Sequence, residues 1–580
     1  MASQSVARSE ACAAFVPALE RLIADAMDEW KIPGLAIAVV QNGEVALARA
    51  YGQRDVEAGL AVTTDTQFMI CSITKTFTAT GLALLVDERR LDWRKPVREY
   101  IPEFRLHDDV ATDRITVRDL LCHHSGLPRH DWIWIPGDLT PAEMLAAMRH
   151  LEPNRDLRST HQYNNLGFLV AGTIAERISG ARWQDFTRAR LTDRLGMEVS
   201  FGAEEIAASA DAAVPYRMEQ DTRKRAARWP IRNVAAGGIN ASIASLSQWA
   251  RFLLGGGMRD GERLLSARLI REMQTPRVHA ATSEFAEIGD AHYGLGFRCH
   301  RYRGERAVGH TGGFIGWGTL MTLLPERGIG VVVLTNRDPS AVTEIVVHSV
   351  LDRLCGFTPV PWFERWRERR RAMLAQMDTD KQARKASRRA GTAPSHPLAD
   401  YAGDYQHPAY GRITITQESD GLHWASRGMF APLAHRHYDT FELPEVPDRL
   451  LPDGLTVSFT TDPDGNIASL AMPLEPMVKP IVFDRVAAGE CMDPAFRTAC
   501  VGTFRHGAFV HAVAQDRDGQ LTLSPAGQPT YTLRPFRHRT FSIAELAGFQ
   551  VEFRRTQDGT VDEMVFHQPN GTFIAQRVAE

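Results

Sequence analysis

The sequence has no Cys-x-x-Cys pair and no Cys/His cluster at metal-ligand spacing. Its seven cysteines (Cys12, Cys71, Cys122, Cys299, Cys355, Cys491 and Cys500) are odd in number and scattered. They read as reduced, mostly buried thiols, and neither a metal centre nor a disulfide framework is expected. Charge of one sign is also lacking. The net charge of −3 leaves no electrostatic footprint for nucleic acid. No apolar run reaches the length of a membrane span. Residues 1–14 lack a basic segment followed by an apolar one, so no secretory signal is read and a cytoplasmic protein is expected. There is no G-x-S-x-G elbow, no H-E-x-x-H and no phosphate-binding loop, which removes the motifs of several rival enzyme classes. What remains is ordinary globular composition, 44% hydrophobic and 24% charged, in a chain of 580 residues, too long for a single core.

Residues 13–28 carry helical apolar spacing, with Phe15, Leu19, Leu22, Ile23 and Met27 on one side. Pro33-Gly34 breaks the pattern. Strand-like runs at 35–40 and 45–50 then flank Asn42-Gly43, a strong hairpin signal. From a helix beginning near Ser72 to about residue 250 the pattern is mainly helical. Strand signals return at 293–297, 316–324 and 328–335, and a last amphipathic helix spans 341–354. Strands at both ends of a helical middle predict an α+β domain with one antiparallel sheet, flanking helices and a separate helical cluster, over residues 13–360. Residues 361–391 are rich in Arg and Lys and read as a solvated helix and linker. The remainder repeats itself. Tyr401-Ala402-Gly403-Asp404-Tyr405 recurs as Cys500-Val501-Gly502-Thr503-Phe504, and Asp484-Arg485-Val486 recurs as Gln576-Arg577-Val578. Short strands broken by Gly, Pro and Asp turns predict two small all-β antiparallel barrels, at 392–488 and 489–580.

The chemistry-bearing stretch is Ser72-Ile73-Thr74-Lys75. A serine hydroxyl is a poor nucleophile until a neighbour takes its proton. Three residues on, along a helix, Lys75 can aim its amine at the Ser72 oxygen. Apolar surroundings disfavour the ammonium form and push a lysine toward the range of a useful base. Two further pieces join it. Tyr163-Asn164-Asn165 offers a phenol that can serve as base if cations lower its pKa, and an amide, Asn165, that can hold a substrate carbonyl. Gly309-His310-Thr311-Gly312-Gly313 lets a substrate approach an edge strand, where the N–H of Gly313 can pair with that of Ser72 as an oxyanion hole, beside Gly312. The adjacent His123 and His124 lack a carboxylate at ligand spacing and read as a structural turn at the cleft wall.

In this order, Ser-x-x-Lys, Tyr-x-Asn and His-Thr-Gly resemble the three signatures of the serine β-lactamase and penicillin-binding-protein family. The resemblance covers residues 15–355 and is to the class C-like branch, nearest in layout to D-aminopeptidase and esterase relatives that carry two C-terminal β-barrel domains. It implies a serine hydrolase with Ser72, Lys75, Tyr163 and His310 as catalytic residues, His310 polarising Tyr163 or contacting the leaving side. It implies an ester, D-amino-acid amide or short peptide as substrate, no cofactor, and neither nucleic acid nor membrane as partner. The chain departs from the penicillin-active pattern at His310, where those enzymes usually carry lysine, which argues against efficient β-lactam hydrolysis. Two other readings stay open: acyl transfer to an alcohol or amine from the same acyl-enzyme, and a non-catalytic binding or scaffold role. The barrels are read as walls of the cleft or as the interface of a homodimer.

Overall fold

The computed structural model describes residues 2–578 except 220–221, 338, 445–453, 488, 547, 557–558 and 569, with side chains described from Phe15 onward. The chain divides into two units, residues 1–386 and 387–580. The first is built on a nine-stranded antiparallel sheet. Its strands run, in spatial order, Val278–Ala281, Ala291–Tyr293, Arg298–Tyr302, Glu305–Phe314, Trp317–Leu324, Ile329–Thr335, Gly34–Gln41, Glu44–Asp55 and Leu60–Ala61. N- and C-terminal sequence thus meet in one sheet, Leu35 opposite Thr335 and Gln41 opposite Ile329. Asn42 and Gly43, at φ 53° and 84°, make the tight turn of the expected first hairpin.

One face of the sheet is covered by the helices Ala2–Glu29 and Val342–Leu354, whose Leu19, Ile23, Ile345 and Val346 pack with Val331, Val333 and Ile37. The other is covered by Ile243–Leu254 and the helical cluster. Strand Ile329–Thr335 is buried along its whole length, which is why it reads as an unbroken apolar run. Each such aliphatic side chain contributes about 1.5–3 kcal/mol on burial.

Two sequence expectations shift. Residues 294–297 are the connection between two short strands, with Gly294 N–H donating to the Phe297 carbonyl. The His310-Thr311-Gly312 stretch lies inside a strand, Glu305–Phe314, that the strand signals at 293–297 and 316–324 did not include. Glycines mask this strand's alternation, because they carry no side chain to read. The basic segment forms a helix, Trp362–Ala386, in which Trp362 is the buried residue. Trp362 is 1% exposed and donates from Nε1 to Asp352 Oδ2 at 3.1 Å.

The second unit contains two closed eight-stranded antiparallel barrels, with strands from Gly403–His407 to Ile481–Val486 and from Gly502–His506 to Gly571–Arg577. The sequence repeat marks the same joint in each. Arg485 donates to the carbonyls of Asp400 and Ala402, and Arg577 to those of Ala499 and Val501. Gly403 and Gly502 sit beside these guanidinium groups at φ 149° and 151°. A Cβ at Gly502 would lie 2.2 Å from Arg577 Nη1, so glycine recurs at the point the arginine crosses. Among the described residues no helix is long and apolar enough to cross a membrane.

Candidate active site

Ser72 lies in a single 3-10 turn, Cys71–Ile73, that runs straight into the helix Thr74–Asp87. Cys71 precedes it at φ 50°, a backbone setting uncommon outside glycine. The Cys71 thiol is buried, and desolvation pushes it up to about 12, which keeps it protonated. The helix is anchored from behind. Phe77 stacks on Trp249 at 3.8 Å, and Trp249 Nε1 donates to Thr76 Oγ1 at 3.0 Å.

That anchoring buries Lys75 completely. Its Nζ has three near neighbours: Ser72 Oγ at 3.0 Å, Asn165 Oδ1 at 2.7 Å and the Ala236 carbonyl oxygen at 2.7 Å. Burial holds its pKa well below the ordinary lysine value, and the Arg129 charge lowers it further. Two of the three neighbours can only accept. A neutral amine has two N–H bonds for those two acceptors, and its lone pair is then left for the Ser72 hydroxyl.

Asn165 is itself held. Its Nδ2 donates to Asp131 Oδ1 at 3.3 Å, and Asn233 Nδ2 donates to its backbone carbonyl at 2.8 Å. Asp131 can only accept, which turns the Asn165 carbonyl oxygen toward Lys75. Asp131 also takes Trp134 Nε1 at 2.7 Å and the Arg129 guanidinium. Neither Arg129 nor Asp131 was singled out in the sequence, since both sit in an irregular loop without a motif. Beside Ser72 opens a cavity of about 110 Å³ that Trp134, Ile135, Ile231 and Phe314 line together with Arg129 and Asp131.

Tyr163 is brought to the same point, its phenol near enough to Ser72 for the serine to favour its ionised form. Lys75 Nζ lies 5.0 Å from the ring centre, and the Arg129 guanidinium 5.3 Å. The cations do not prevail: desolvation pushes the phenol up to about 12 against the lowering by Ser72, Arg129 and Arg298. Tyr163 therefore rests as a protonated phenol, so the condition under which the sequence allowed it as base, a pKa lowered by cations, is not met in the resting site.

His310 is 2% exposed. Its Nδ1 lies 2.5 Å from the Thr311 carbonyl oxygen and its Nε2 2.6 Å from the Tyr293 hydroxyl. Both ring nitrogens are engaged away from Tyr163, whose ring centre is 6.3 Å distant, so the expected polarising contact is not made here. Desolvation, then the Lys75 charge, lowers His310 to about 3. His123 stands at φ 58°, accepts the Asn164 N–H on Nδ1 at 3.1 Å and packs 4.3 Å from the Tyr163 ring, so the cleft-wall turn reaches the site itself.

Gly312 explains why the glycine stretch lies here. A Cβ on it would meet Thr319 Oγ1 at 2.2 Å and the Ile70 carbonyl oxygen at 2.4 Å. Only glycine lets strand Glu305–Phe314 lie this close to the turn carrying Ser72. Gly313 and Ser72 line the same cavity. Among the described residues the one His/carboxylate group compact enough to hold a metal, Glu418, Asp420 and His423, belongs to the first barrel and not to this site.

Comparison with known proteins agrees with this arrangement. Residues 19–350 match the family model described as Beta-lactamase, and residues 387–485 match a domain of unknown function, DUF3471. The chain is 29% identical over 433 residues to the unguisins hydrolase ungD' of Aspergillus campestris, covering 70% of this chain and 79% of that protein. It is 26% identical over 432 residues to a D-aminopeptidase of Brucella canis, covering 71% and 78%. Among solved structures, the octameric penicillin-binding protein homologue from Pyrococcus abyssi superposes with a TM-score of 0.53 at 24% identity, over 81% of this chain and all of that one, which shows the shared fold. With the family model spanning more than half of its length, the chain belongs to the β-lactamase family, a family of serine hydrolases.

Proposed function

We propose that the protein hydrolyses short esters or amides of D-amino acids or small peptides through an acyl-enzyme on Ser72. The observation that carries this reading is the Lys75 amine, fully buried and 3.0 Å from Ser72 Oγ, with both of its other neighbours acceptors. As Ser72 Oγ attacks the carbonyl carbon, its proton passes to the Lys75 lone pair. The carbonyl oxygen becomes an oxyanion facing the N–H groups of Ser72 and Gly313. One such donor is worth about 3 kcal/mol at the transition state. The Tyr163 phenol gives its proton to the departing amine or alcohol and is recharged from Lys75. Water then attacks the Ser72 ester, and its proton leaves by the same route as Ser72 Oγ–H is restored. Lys75 and Tyr163 work as one unit, with Lys75 the resting base.

Three features support the substrate class. The cavity of about 110 Å³ with its aromatic and aliphatic wall suits a small apolar acyl residue. The relatives named above include a D-aminopeptidase and an unguisins hydrolase. His310 is neutral where a lysine would supply a fixed positive charge for a β-lactam carboxylate. A panel of nitrophenyl esters, D-amino-acid amides and nitrocefin, run on wild type and Ser72→Ala, tests the reading. Turnover of the first two classes, weak nitrocefin cleavage and loss of all activity in Ser72→Ala are expected. Nitrocefin as the best substrate, or activity surviving in Ser72→Ala, contradicts it.

A further inference from the structure

Behind Tyr163 lies a buried group of rings that the proposed reaction does not use. Tyr293 and His123 are 4.6 Å apart between ring centres, His161 and Tyr293 are 5.4 Å apart, and Tyr293 meets His310 edge to face at 5.7 Å. Within this group the hydrogen on one ring nitrogen of His310 follows from its partner. The Thr311 carbonyl oxygen can only accept, so the His310 nitrogen 2.5 Å from it, Nδ1, carries a hydrogen. A neutral His310 then has its lone pair on Nε2, and the hydroxyl 2.6 Å away belongs to Tyr293. Tyr293 is 1% exposed, and burial raises its phenol well above the ordinary value, so it holds its proton and donates it.

We propose that Tyr293 is a positioning residue: by donating to His310 Nε2 it pins the ring, holds the strand Glu305–Phe314 that carries Gly312 and Gly313, and keeps the His310 lone pair out of proton transfer at Ser72. The inference rests on the acyl-enzyme reading for its consequence, and on the 2.5 and 2.6 Å contacts of a neutral His310 for the hydrogen bond. The groups facing His310 are consistent with a neutral ring. Lys75 approaches from the helix Thr74–Asp87, Arg298 from the neighbouring strand, and Tyr163 and His123 from loops. The cavity that His310 shares on the far side of its strand is lined by Arg298, His300, Glu344, His348 and Arg369. A positive charge on the His310 ring would stand close to Arg298, and its Nε2 would have the Tyr293 hydroxyl as its sole polar partner among the described residues.

Nitrogen NMR of protein labelled with ¹⁵N-histidine, His310 assigned by its loss in His310→Gln, reads this directly. The wild type should show neutral His310 at neutral pH, hydrogen on Nδ1 and Nε2 shifted by an accepted hydrogen bond. In Tyr293→Phe the Nε2 signal should move toward that of an unbonded lone pair, and the titration midpoint should rise by about one pH unit, because the bond favouring the neutral form is gone. Hydrogen on Nε2, or a charged ring, in the wild type at neutral pH overturns the proposal. So does an Nε2 signal unmoved in Tyr293→Phe. Where that variant does not fold, the wild-type spectrum alone decides. A kinetic cycle adds the consequence: Tyr293→Phe should lower kcat more than it changes KM, and lose its effect in a His310→Gln background, whereas additive losses contradict action through His310. The spectra are recorded on resting protein, so an inert Ser72 with His310 bonded as described would end the proposed reaction and leave this hydrogen bond standing.

Discussion

Asn165 Oδ1 accepts from Lys75 Nζ at 2.7 Å while the same amide donates to Asp131 Oδ1 at 3.3 Å. The loop residue Asp131 thereby decides which end of an amide the buried lysine meets. If the amide turned over, it would offer Lys75 an N–H, and the amine could then answer only with its lone pair, which Ser72 needs.

Asp131→Ala should therefore lower kcat/KM by roughly tenfold to a hundredfold, a part of the roughly hundredfold to ten-thousandfold that a positioned general base supplies. Asn165→Leu, which leaves a Lys75 N–H unanswered, should cost at least as much. Steady-state kinetics on a nitrophenyl ester check both. Wild-type activity in Asn165→Leu would remove this amide from the account.

The pH dependence has a defined sign. His310 and His348 are both lowered to about 3 by burial. No ionisation of His310 should appear in kcat/KM between about pH 5 and 8, against an ordinary histidine value near 6.5. Activity should instead rise with pH as Lys75 loses its proton, and His310→Gln should leave the position of that rise unchanged. For stability, the folded values lie below the unfolded one, so the unfolded chain binds more protons between about 6.5 and 3. The contribution is fully present above about pH 6.5 and is lost as pH falls, at about 1.4 kcal/mol per pH unit for each such histidine. Urea midpoints of Ser72→Ala measured from neutral to mildly acid pH check this. A flat profile contradicts it.

Gly312→Ala should damage both fold and activity. Its Cβ would sit 2.4 Å from the Ile70 carbonyl, backbone that cannot yield without moving the turn of Ser72. A loss of about 1–3 kcal/mol in stability is expected from overpacking of this kind. Thermal melts and ester turnover measured together should fall together.

Limited proteolysis should cut in the exposed stretch after Ala386 and spare the start of the basic helix. Trp362 is buried there and hydrogen-bonded to Asp352, so a cut near residue 361 would contradict the packing described.

The family and the placement of Ser72, Lys75, Tyr163, Asn165, His310 and Gly313 were legible in sequence because their motifs are local and ordered. The barrel pair was legible because its Arg485 and Arg577 repeat with the glycines they cross. The second-line residues were not. Asp131, Arg129 and Tyr293 act through partners 34, 34 and 17 positions away in sequence, at Asn165, Tyr163 and His310, and no spacing rule joins them. The protonation state of Tyr163 was left open by the sequence for a related reason. Cations nearby can be guessed from composition, but desolvation of the phenol depends on packing that only the fold supplies.

The central claim is that Ser72 is the nucleophile and Lys75 its base. Intact-protein and peptide mass spectrometry after a fluorophosphonate probe tests it most directly. A single adduct on the peptide bearing Ser72, absent in Ser72→Ala and strongly slowed in Lys75→Met, is the predicted result. An adduct on another residue, or an unlabelled Ser72 in protein that still turns over ester, would contradict it.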